Sequence, residues 1–436
     1  MLHFGMLCPD LFGHLNPMMA LARELERTGH RVTFYQRLIC QSKLESAGFR
    51  VRAFAEQEFP IDVTREQLRN LAGLSGLKAL QYTVEILRRR TAACLRDVPR
   101  LARDDRIDAL LVDEVSWEGA TIAEELGIPF ITVCNALVIY PEEAVPPFPT
   151  TWRYSTSFAA RLRNRLAYRL LTRIARPLLK TVNDHREQIG RPRYASREQA
   201  VSPLLMISQE PAEFEFPRAR LPACFRFVGP LVDREVRESV QFPFEKLDGR
   251  PLVYASMGTL QNRQADIFGK IAAACEGLPV QLIISLGGGG HPETLTALPG
   301  NPVVVEFAPQ LELLRRAALC ITHAGLNTAL ESLSQGVPMV AIPITNDQPG
   351  VASRIAWTGS GEFITPRRLT AAGLRACIEH VLTNPSFAAN ARRLRDAIGG
   401  YGGASQAATL VTAAVQNGEA SPLNAPSQPP SLSALL

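Results

Sequence analysis

The chain has 436 residues, 46% of them hydrophobic and 20% charged, which allows two domain-sized cores and excludes a disordered polymer. A formal charge of +5 is small for that length and gives no ground for a nucleic-acid partner, and no apolar run approaches a membrane span. The eight cysteines (8, 40, 94, 134, 224, 275, 320 and 377) are scattered without a CxxC pair, so neither a disulfide framework nor a zinc site is expected, and a reducing cytoplasm is the default compartment.

The opening MLHFGMLCPD lacks a basic leader and a small-residue cleavage site, so no signal peptide is expected. Within it, HFGMLC is a short apolar run of the kind a buried parallel strand uses. Asn16-Pro17 fits a helix N-cap followed by proline at the first helical position. Met18, Leu21, Ala22 and Leu25 keep helical spacing, Gly29 stops the helix, and RVTFY resumes as a strand. That is one βαβ unit. DALLVD, a helix around Thr121 to Leu126, and IPFITV form a second.

From Trp152 to Lys180 there is no acidic residue, while Arg153, Arg161, Arg163, Arg165, Arg169, Arg173, Arg176 and Lys180 are basic. Phe158, Leu162, Leu166, Leu170, Ile174 and Leu178 recur at every fourth position as an apolar stripe. Two readings stay open and are compatible. One is a long helix packed on its own domain; the other is a helix that also rests on an anionic bilayer, gaining roughly 1 kcal/mol per basic residue near the surface.

The stretch from Ser202 to Pro251 is rich in proline, phenylalanine and charge, and 234–250 reads as a linker. PLVYAS, VQLIIS, NPVVVEF, ALCIT and PMVAIP then restart the alternation of strands with helical patterns. Two such blocks imply an α/β protein of two Rossmann-like, doubly wound domains facing across a cleft. Their expected bounds are 1–233 and 251–417, with the last helix free to cross back to the first domain. Residues 418–436 are small, polar and proline-rich, and read as a disordered tail.

In ITHAGLNTALE (321–331), Thr328 and Glu331 fit a T-x-x-E capping box, and Gly325 permits a turn. That leaves His323 and Asn327 unexplained at the end of a parallel strand. A helix N-terminus there is also an anion site suited to a diphosphate. His323, Asn327 and Thr328 can donate to phosphate oxygens, and Glu331, one turn on, can accept from a ribose diol. SLGGGGHPETL (285–295) lacks both the dinucleotide spacing and the GK[ST] ending, so it reads as a flexible loop at the cleft with His291 a loop histidine. In the first block, CPDLFGHLNP puts His14 on the loop after the first strand, and LLVDEVSWEG puts Asp113 at the end of another. A neutral imidazole can take the proton of an attacking alcohol, and a carboxylate can fix its tautomer. Capping a turn is the competing role for Asp113.

FAPQ, ITHAGLNTALE, GVPMVAIP and Asp347-Gln348, in that order, resemble the donor-binding signature of UDP-dependent glycosyltransferases with the two-domain B architecture. The resemblance implies that Phe307, Ala308 and Gln310 hold the uracil and its ribose, and that His323, Gly325, Asn327 and Thr328 hold the diphosphate. It implies Glu331 on the ribose hydroxyls and Asp347 with Gln348 on the hexose. ASMGT (255–259) resembles the family's phosphate loop, with Ser256, Gly258 and Thr259. His14 takes the place of the family's general base and Asp113 that of its partner. Phe307 stands where plant relatives carry tryptophan, and Ala324 where glycine is usual. EFPRARLPACFRFVGPL (215–231), YASMGTLQNR (254–263) and DQPGVASRI (347–355) are further similar to bacterial zeaxanthin glucosyltransferases.

The expected reaction is inverting transfer of a hexose from UDP-glucose to a hydroxylated hydrophobic acceptor. No cofactor is expected beyond that co-substrate, and no metal, because no DxD-type cluster or His/Cys set demands one. Phe12, Trp117 and Tyr140 are candidate acceptor-side residues. Other hydrophobic alcohols (sterols, flavonoids, macrolides) and a non-catalytic UDP-sugar-binding protein are the alternatives.

Overall fold

The computed structural model describes residues 1–233, 240–258, 265–288, 290–295 and 298–418. Thr259, residues 234–239 of the linker and the tail beyond Gly418 lie outside the described residues. The first half contains strands β1 (His3–Leu7), β2 (Arg31–Gln36), β3 (Arg50–Ala53), β4 (Ala109–Asp113), β5 (Phe130–Cys134), β6 (Met206–Ser208) and β7 (Phe225–Phe227). They form one parallel sheet in the order β3-β2-β1-β4-β5-β6-β7. Its helices are α1 (Phe12–Arg27), α2 (Gln41–Ser46), α3 (Ile61–Ala72), α4 (Gly76–Asp105), α5 (Glu118–Leu126) and α6 (Phe158–Gln188).

The second half contains β8 (Leu252–Ser256), β9 (Gln281–Ser285), β10 (Val303–Val305), β11 (Ala317–Thr322), β12 (Met339–Ala341) and β13 (Gly361–Phe363). They too are all parallel, in the order β10-β9-β8-β11-β12-β13. Helices α7 (Ala265–Cys275), α8 (Gln310–Leu314), α9 (Leu326–Ser334), α10 (Gln348–Trp357), α11 (Ala371–Thr383), α12 (Pro385–Gly399) and α13 (Gly403–Asn417) complete it.

Strands β1, β4, β8 and β9 are buried at every residue, which is why they read as continuous apolar runs rather than alternating ones. In each sheet the strand order reverses once, between β1 and β4 and between β8 and β11. A crevice opens outside the carboxyl ends at such a reversal. His14 follows β1, Asp113 ends β4, Gly258 follows β8 and His323 follows β11, so the sheet order alone brings the candidate residues to two facing edges.

One boundary differs from the sequence reading. Helix α1 begins at Phe12, with Leu11 as a cap that offers no side-chain hydrogen bond, so Asn16 is no N-cap and Pro17 lies inside the helix. His14 therefore sits in the first helical turn rather than on a loop. Proline has no N–H to give the carbonyl four residues back, so the helix tolerates Pro17 only if the Gly13 carbonyl finds another donor.

Helix α13 returns to the first domain. Ala407, Ala408, Leu410, Val411 and Ala414 share a core with Leu15, Met18 and Leu21 of α1. Gly403, at φ +54°, makes the turn into it and donates its N–H to the Val228 carbonyl at 2.8 Å; a β-carbon there would lie 2.8 Å from the Pro230 oxygen.

The domains also meet through buried charge. Arg354 of α10 donates to Glu215 Oε1 through Nε (2.9 Å) and a terminal nitrogen (2.5 Å), and Glu215 also pairs with Arg218 at 3.2 Å. Burial pushes neighbouring Glu210 up to about 8, whereas Arg218 and Arg354 overcome the burial of Glu215 and hold it below the usual carboxylate range. Arg354→Leu strips Glu215 of its partner across the interface. It is expected to cost about 3–5 kcal/mol and to lower the melting temperature by about 10 °C in a thermal scan. A midpoint within about 2 °C of the parent would show that the pair does not hold the domains together.

Candidate active site

The His14 side is built on a buried charge network. Arg90 donates to the Cys8 carbonyl (2.6 Å) and to Glu118 (2.5 Å), and Arg37 donates to Asp10 (2.5 Å). These bonds fix the short segment between β1 and α1. His14 Nδ1 lies 2.8 Å from Asp113 Oδ2, which also accepts from Asn135 Nδ2 at 2.7 Å. Asp113 Oδ1 accepts the Val115 N–H at 2.9 Å, so this carboxylate caps its turn and orients the histidine together. An ionised carboxylate only accepts, so Nδ1 carries the proton and Nε2 keeps its lone pair.

The His14 side chain keeps 17% of its surface exposed, while that of Asp113 has none. Burial opposes charging His14, but the Asp113 carboxylate outweighs it and raises the imidazole above its ordinary 6.5, with Asp347 and Glu114 adding to the effect. Burial likewise opposes the charge on Asp113, and His14, Asn135 and the Val115 amide overcome it, holding the carboxyl below its usual range.

The facing site forms at the first turn of α9. Gly325 is its N-cap and no side chain caps it, so the first-turn amides are left for a ligand. The capping box read in the sequence is absent: Thr328 lies inside the helix, and Glu331 Oε2 instead accepts from Gln310 Nε2 at 2.6 Å. Gln310 Oε1 accepts from the Tyr254 hydroxyl at 3.0 Å, which aligns the two residues expected at the ribose. Ala324, where glycine is usual, has φ +65°, the left-handed conformation that explains the usual glycine.

His323 stands between two glycines. A β-carbon on Gly258 would lie 2.5 Å from its ring, and one on Gly325 also 2.5 Å. Burial pushes His323 down to about 4, so the ring is neutral in this structure. Ser256 Oγ accepts the Gly258 N–H at 3.3 Å, shaping the adjacent loop. Phe307 is 48% exposed and covers Gly288, whose β-carbon would sit 2.6 Å from the ring, so Gly288 leaves room for that ring. His291 is not part of the cavity lining and lies 3.7 Å from Glu306. Asp347 is the cap residue of α10, and burial raises its carboxyl. Gln348 spends its carbonyl on the Ile344 and Thr345 amides (2.8 and 3.0 Å), so what it can offer a hexose is its amide N–H.

The two sides share one cavity of about 1560 Å³. Its lining includes His14, Ser256, Gly258, Phe307, Ala308, Gln310, His323, Gly325, Asn327, Thr328, Glu331, Asp347 and Gln348. The Gly13 carbonyl freed by Pro17 accepts from Asn327 Nδ2 at 3.0 Å, a bond between the domains. Gln209 Nε2 donates to Asn327 Oδ1 at 2.9 Å and also to the Asn135 carbonyl. Asn327, read as a phosphate donor, thus joins the domains in this structure.

Away from the donor side, the cavity runs between α4 (Leu80, Val84, Leu87) and α6 (Leu171, Ile174, Leu178). Phe12 and Trp117 line it, but Tyr140 does not. In the irregular stretch after β5, Tyr140 packs on the cluster of Cys134, Val138 and Phe225, while its neighbours Ile139 and Pro141 line the cavity. Asn135, Gln209 and Tyr254 are functional positions the sequence reading missed. Asn135 and Gln209 directly follow parallel strands, and that strand-end rule would have found them. Among the described residues, no group of three or more His, Cys, Asp or Glu side chains is placed to hold a metal ion.

Two parallel-sheet domains lining one cavity at their facing edges define the two-domain B architecture of glycosyltransferases. The chain belongs to the UDP-glucoronosyl and UDP-glucosyl transferase family, whose profile matches residues 12–397. It is a UDP-sugar glycosyltransferase. It is 32% identical to the zeaxanthin glucosyltransferase of Pantoea ananas, covering 96% of this chain and 97% of that one. It is 31% identical to the zeaxanthin glucosyltransferase of Pseudescherichia vulneris, covering 96% and 99%. Its fold is similar to that of the glycotransferase of kitacinnamycin, with a TM-score of 0.75 at 23% identity over 95% and 98% of the two chains.

Gly258→Ala forces the His323 ring aside. UDP affinity, measured by calorimetry, is expected to fall about tenfold with the fold intact, the size of one lost hydrogen bond to a charged group. An unchanged affinity would show that His323 does not touch the diphosphate.

Proposed function

We propose that the protein transfers a hexose, glucose first, from its UDP donor to a hydroxyl of a hydrophobic acceptor, with inversion at the anomeric carbon. The observation that carries this reading is the single cavity shared by His14, oriented by Asp113, and the uncapped first turn of α9. The diphosphate sits against the α9 amides with His323, Ser256 and Thr328, and the ribose against Glu331 and Gln310. The uracil lies on Phe307 and Ala308, and the hexose meets Asp347 and Gln348. The acceptor hydroxyl enters from the α4–α6 side and gives its proton to His14 Nε2 as its oxygen attacks the anomeric carbon. The glycosidic bond to phosphate breaks on the opposite face, which is what inverts the centre. The electron pair leaves with UDP, whose growing charge is met by the α9 amides, so the reaction is proposed to need no metal.

The favoured acceptor is a carotenoid such as zeaxanthin. The names of the two bacterial relatives and the apolar α4–α6 walls support it. Mass spectrometry of the purified protein with several UDP-sugars and a mixed pigment extract tests donor and acceptor together. Hexose-sized gains on sterols, flavonoids or macrolides, with none on carotenoids, would replace the acceptor while keeping the chemistry. The reading also includes a cytoplasmic location and contact with an anionic membrane surface through 152–180. Among the described residues, no helix is long and apolar enough to cross a membrane.

The base must be neutral to work. Because Asp113 raises His14 above 6.5, kcat/KM is expected to rise with pH through an apparent pKa above that value. Asp113→Asn should move this limb to lower pH and lower the plateau, since the imidazolium formed in the transition state loses its counter-charge. His14→Ala should lower kcat about 10²- to 10⁴-fold while UDP affinity stays within about twofold. Retained transfer, or a pH limb that ignores Asp113→Asn, would remove the general-base role.

A further inference from the structure

We infer that the amino-terminal half of α6 docks on an anionic bilayer and that its apolar stripe conducts the acceptor from lipid into the cavity. The stripe is not straight. Four residues advance a helix by slightly more than one turn, so each step in the series drifts by about 40° and the whole by about 200°. Phe158 is 83% exposed, and Leu162, Leu166 and Leu170 are 46%, 54% and 54% exposed. Ile174 is half-buried and lines the cavity, and Leu178 is buried and lines it too. One series of side chains thus winds from the outer surface to the acceptor wall.

The charge beside it has one sign. Arg161, Arg165, Arg169 and Arg173 each stand one or three places from a stripe residue and are exposed, as is Arg176. Among the described residues, only Arg165 of these five has an acidic partner, Glu143 at 3.4 Å. Beyond Arg176 the basic residues of the same helix are paired, Lys180 with Asp184 and Arg186 with Glu124, so among the described residues the α6 arginines without an acidic partner lie between Arg161 and Arg176, alongside the stripe. Water is a poor neighbour for four large apolar side chains in a row, and nucleic acid offers no apolar layer to receive them. A bilayer with anionic headgroups satisfies both the stripe and the arginines. The direction of traffic rests on the proposed hydrophobic acceptor; the docking stands on the surface alone.

The test uses the full chain with vesicles of phosphatidylglycerol and phosphatidylcholine, compared with pure phosphatidylcholine. The protein should co-sediment with the anionic vesicles, and 0.5 M salt should reduce binding, as expected for charge near a surface (about one Debye length of 3–10 Å). A triple variant Leu162→Glu, Leu166→Glu, Leu170→Glu should bind about tenfold or more weakly. So should Arg161→Gln, Arg169→Gln, Arg173→Gln, a second route if the first variant fails to fold. Both variants should glycosylate a water-soluble alcohol at the parental rate yet lose turnover of an acceptor embedded in vesicles. Absent vesicle binding, binding that neither variant weakens, or equal binding to duplex DNA overturns the docking. Parental turnover of the embedded acceptor by vesicle-deficient variants overturns the conducting role. Failure of the parent on every acceptor would fall on the catalytic reading, and the vesicle arm would still decide the docking.

Discussion

A proline inside a helix leaves one carbonyl without its donor, and here that carbonyl belongs to Gly13, the residue before the candidate base. Asn327 of the opposite domain supplies the missing N–H at 3.0 Å. Gln209 holds Asn327 from the other side and reaches the Asn135 carbonyl, and Asn135 in turn donates to the carboxylate that orients His14. The defect created by Pro17 therefore becomes the point at which the donor half and the acceptor half of the cavity are registered. Without such a contact, two sheets could present the same side chains and still leave the proton acceptor misplaced, and about 1 Å of misplacement can cost 100-fold in rate.

The electrostatics of the two halves are complementary. On the acceptor side a buried carboxylate raises the basicity of an imidazole, and a network of buried arginines holds the segment that carries it. On the donor side, the proposed anion site combines the uncapped amides of α9 with a histidine kept neutral by burial between Gly258 and Gly325. In the proposed reaction, fixed dipoles need no reorganisation as charge moves onto the leaving diphosphate, an advantage over mobile cations.

Much of this was legible in the sequence, for identifiable reasons. The alternation of apolar runs and helical patterns gave both doubly wound domains, because parallel strands buried on two faces leave a dense signal. That Phe307, Gln310, His323, Thr328, Glu331 and Gln348 line one side of the cavity was legible because they lie close together in the sequence. What escaped was set by distant partners. Asn16-Pro17 carries every local mark of a helix start, yet α1 begins at Phe12, since the cost of Pro17 is offset by Asn327, 314 positions from the Gly13 carbonyl it satisfies. Thr328 and Glu331 have capping-box spacing, but Gln310 claims the carboxylate. Tyr140 lies one residue out of phase with its cavity-facing neighbours in an irregular stretch that no period describes. The apolar series of α6 looked like a single face until its slow rotation around the helix was followed.

The registration of the two halves can be probed at Gln209, which is 2% exposed and belongs to neither proposed substrate site. Gln209→Met keeps the length of the side chain while removing its bonds to Asn327 and Asn135. Turnover and UDP affinity should be measured on the same preparation. The expected result is a UDP affinity within about twofold of the parent and a kcat lowered about 10- to 100-fold. An unchanged kcat, or a loss of UDP binding as large as the loss of turnover, would contradict the idea that this contact aligns the base with the donor.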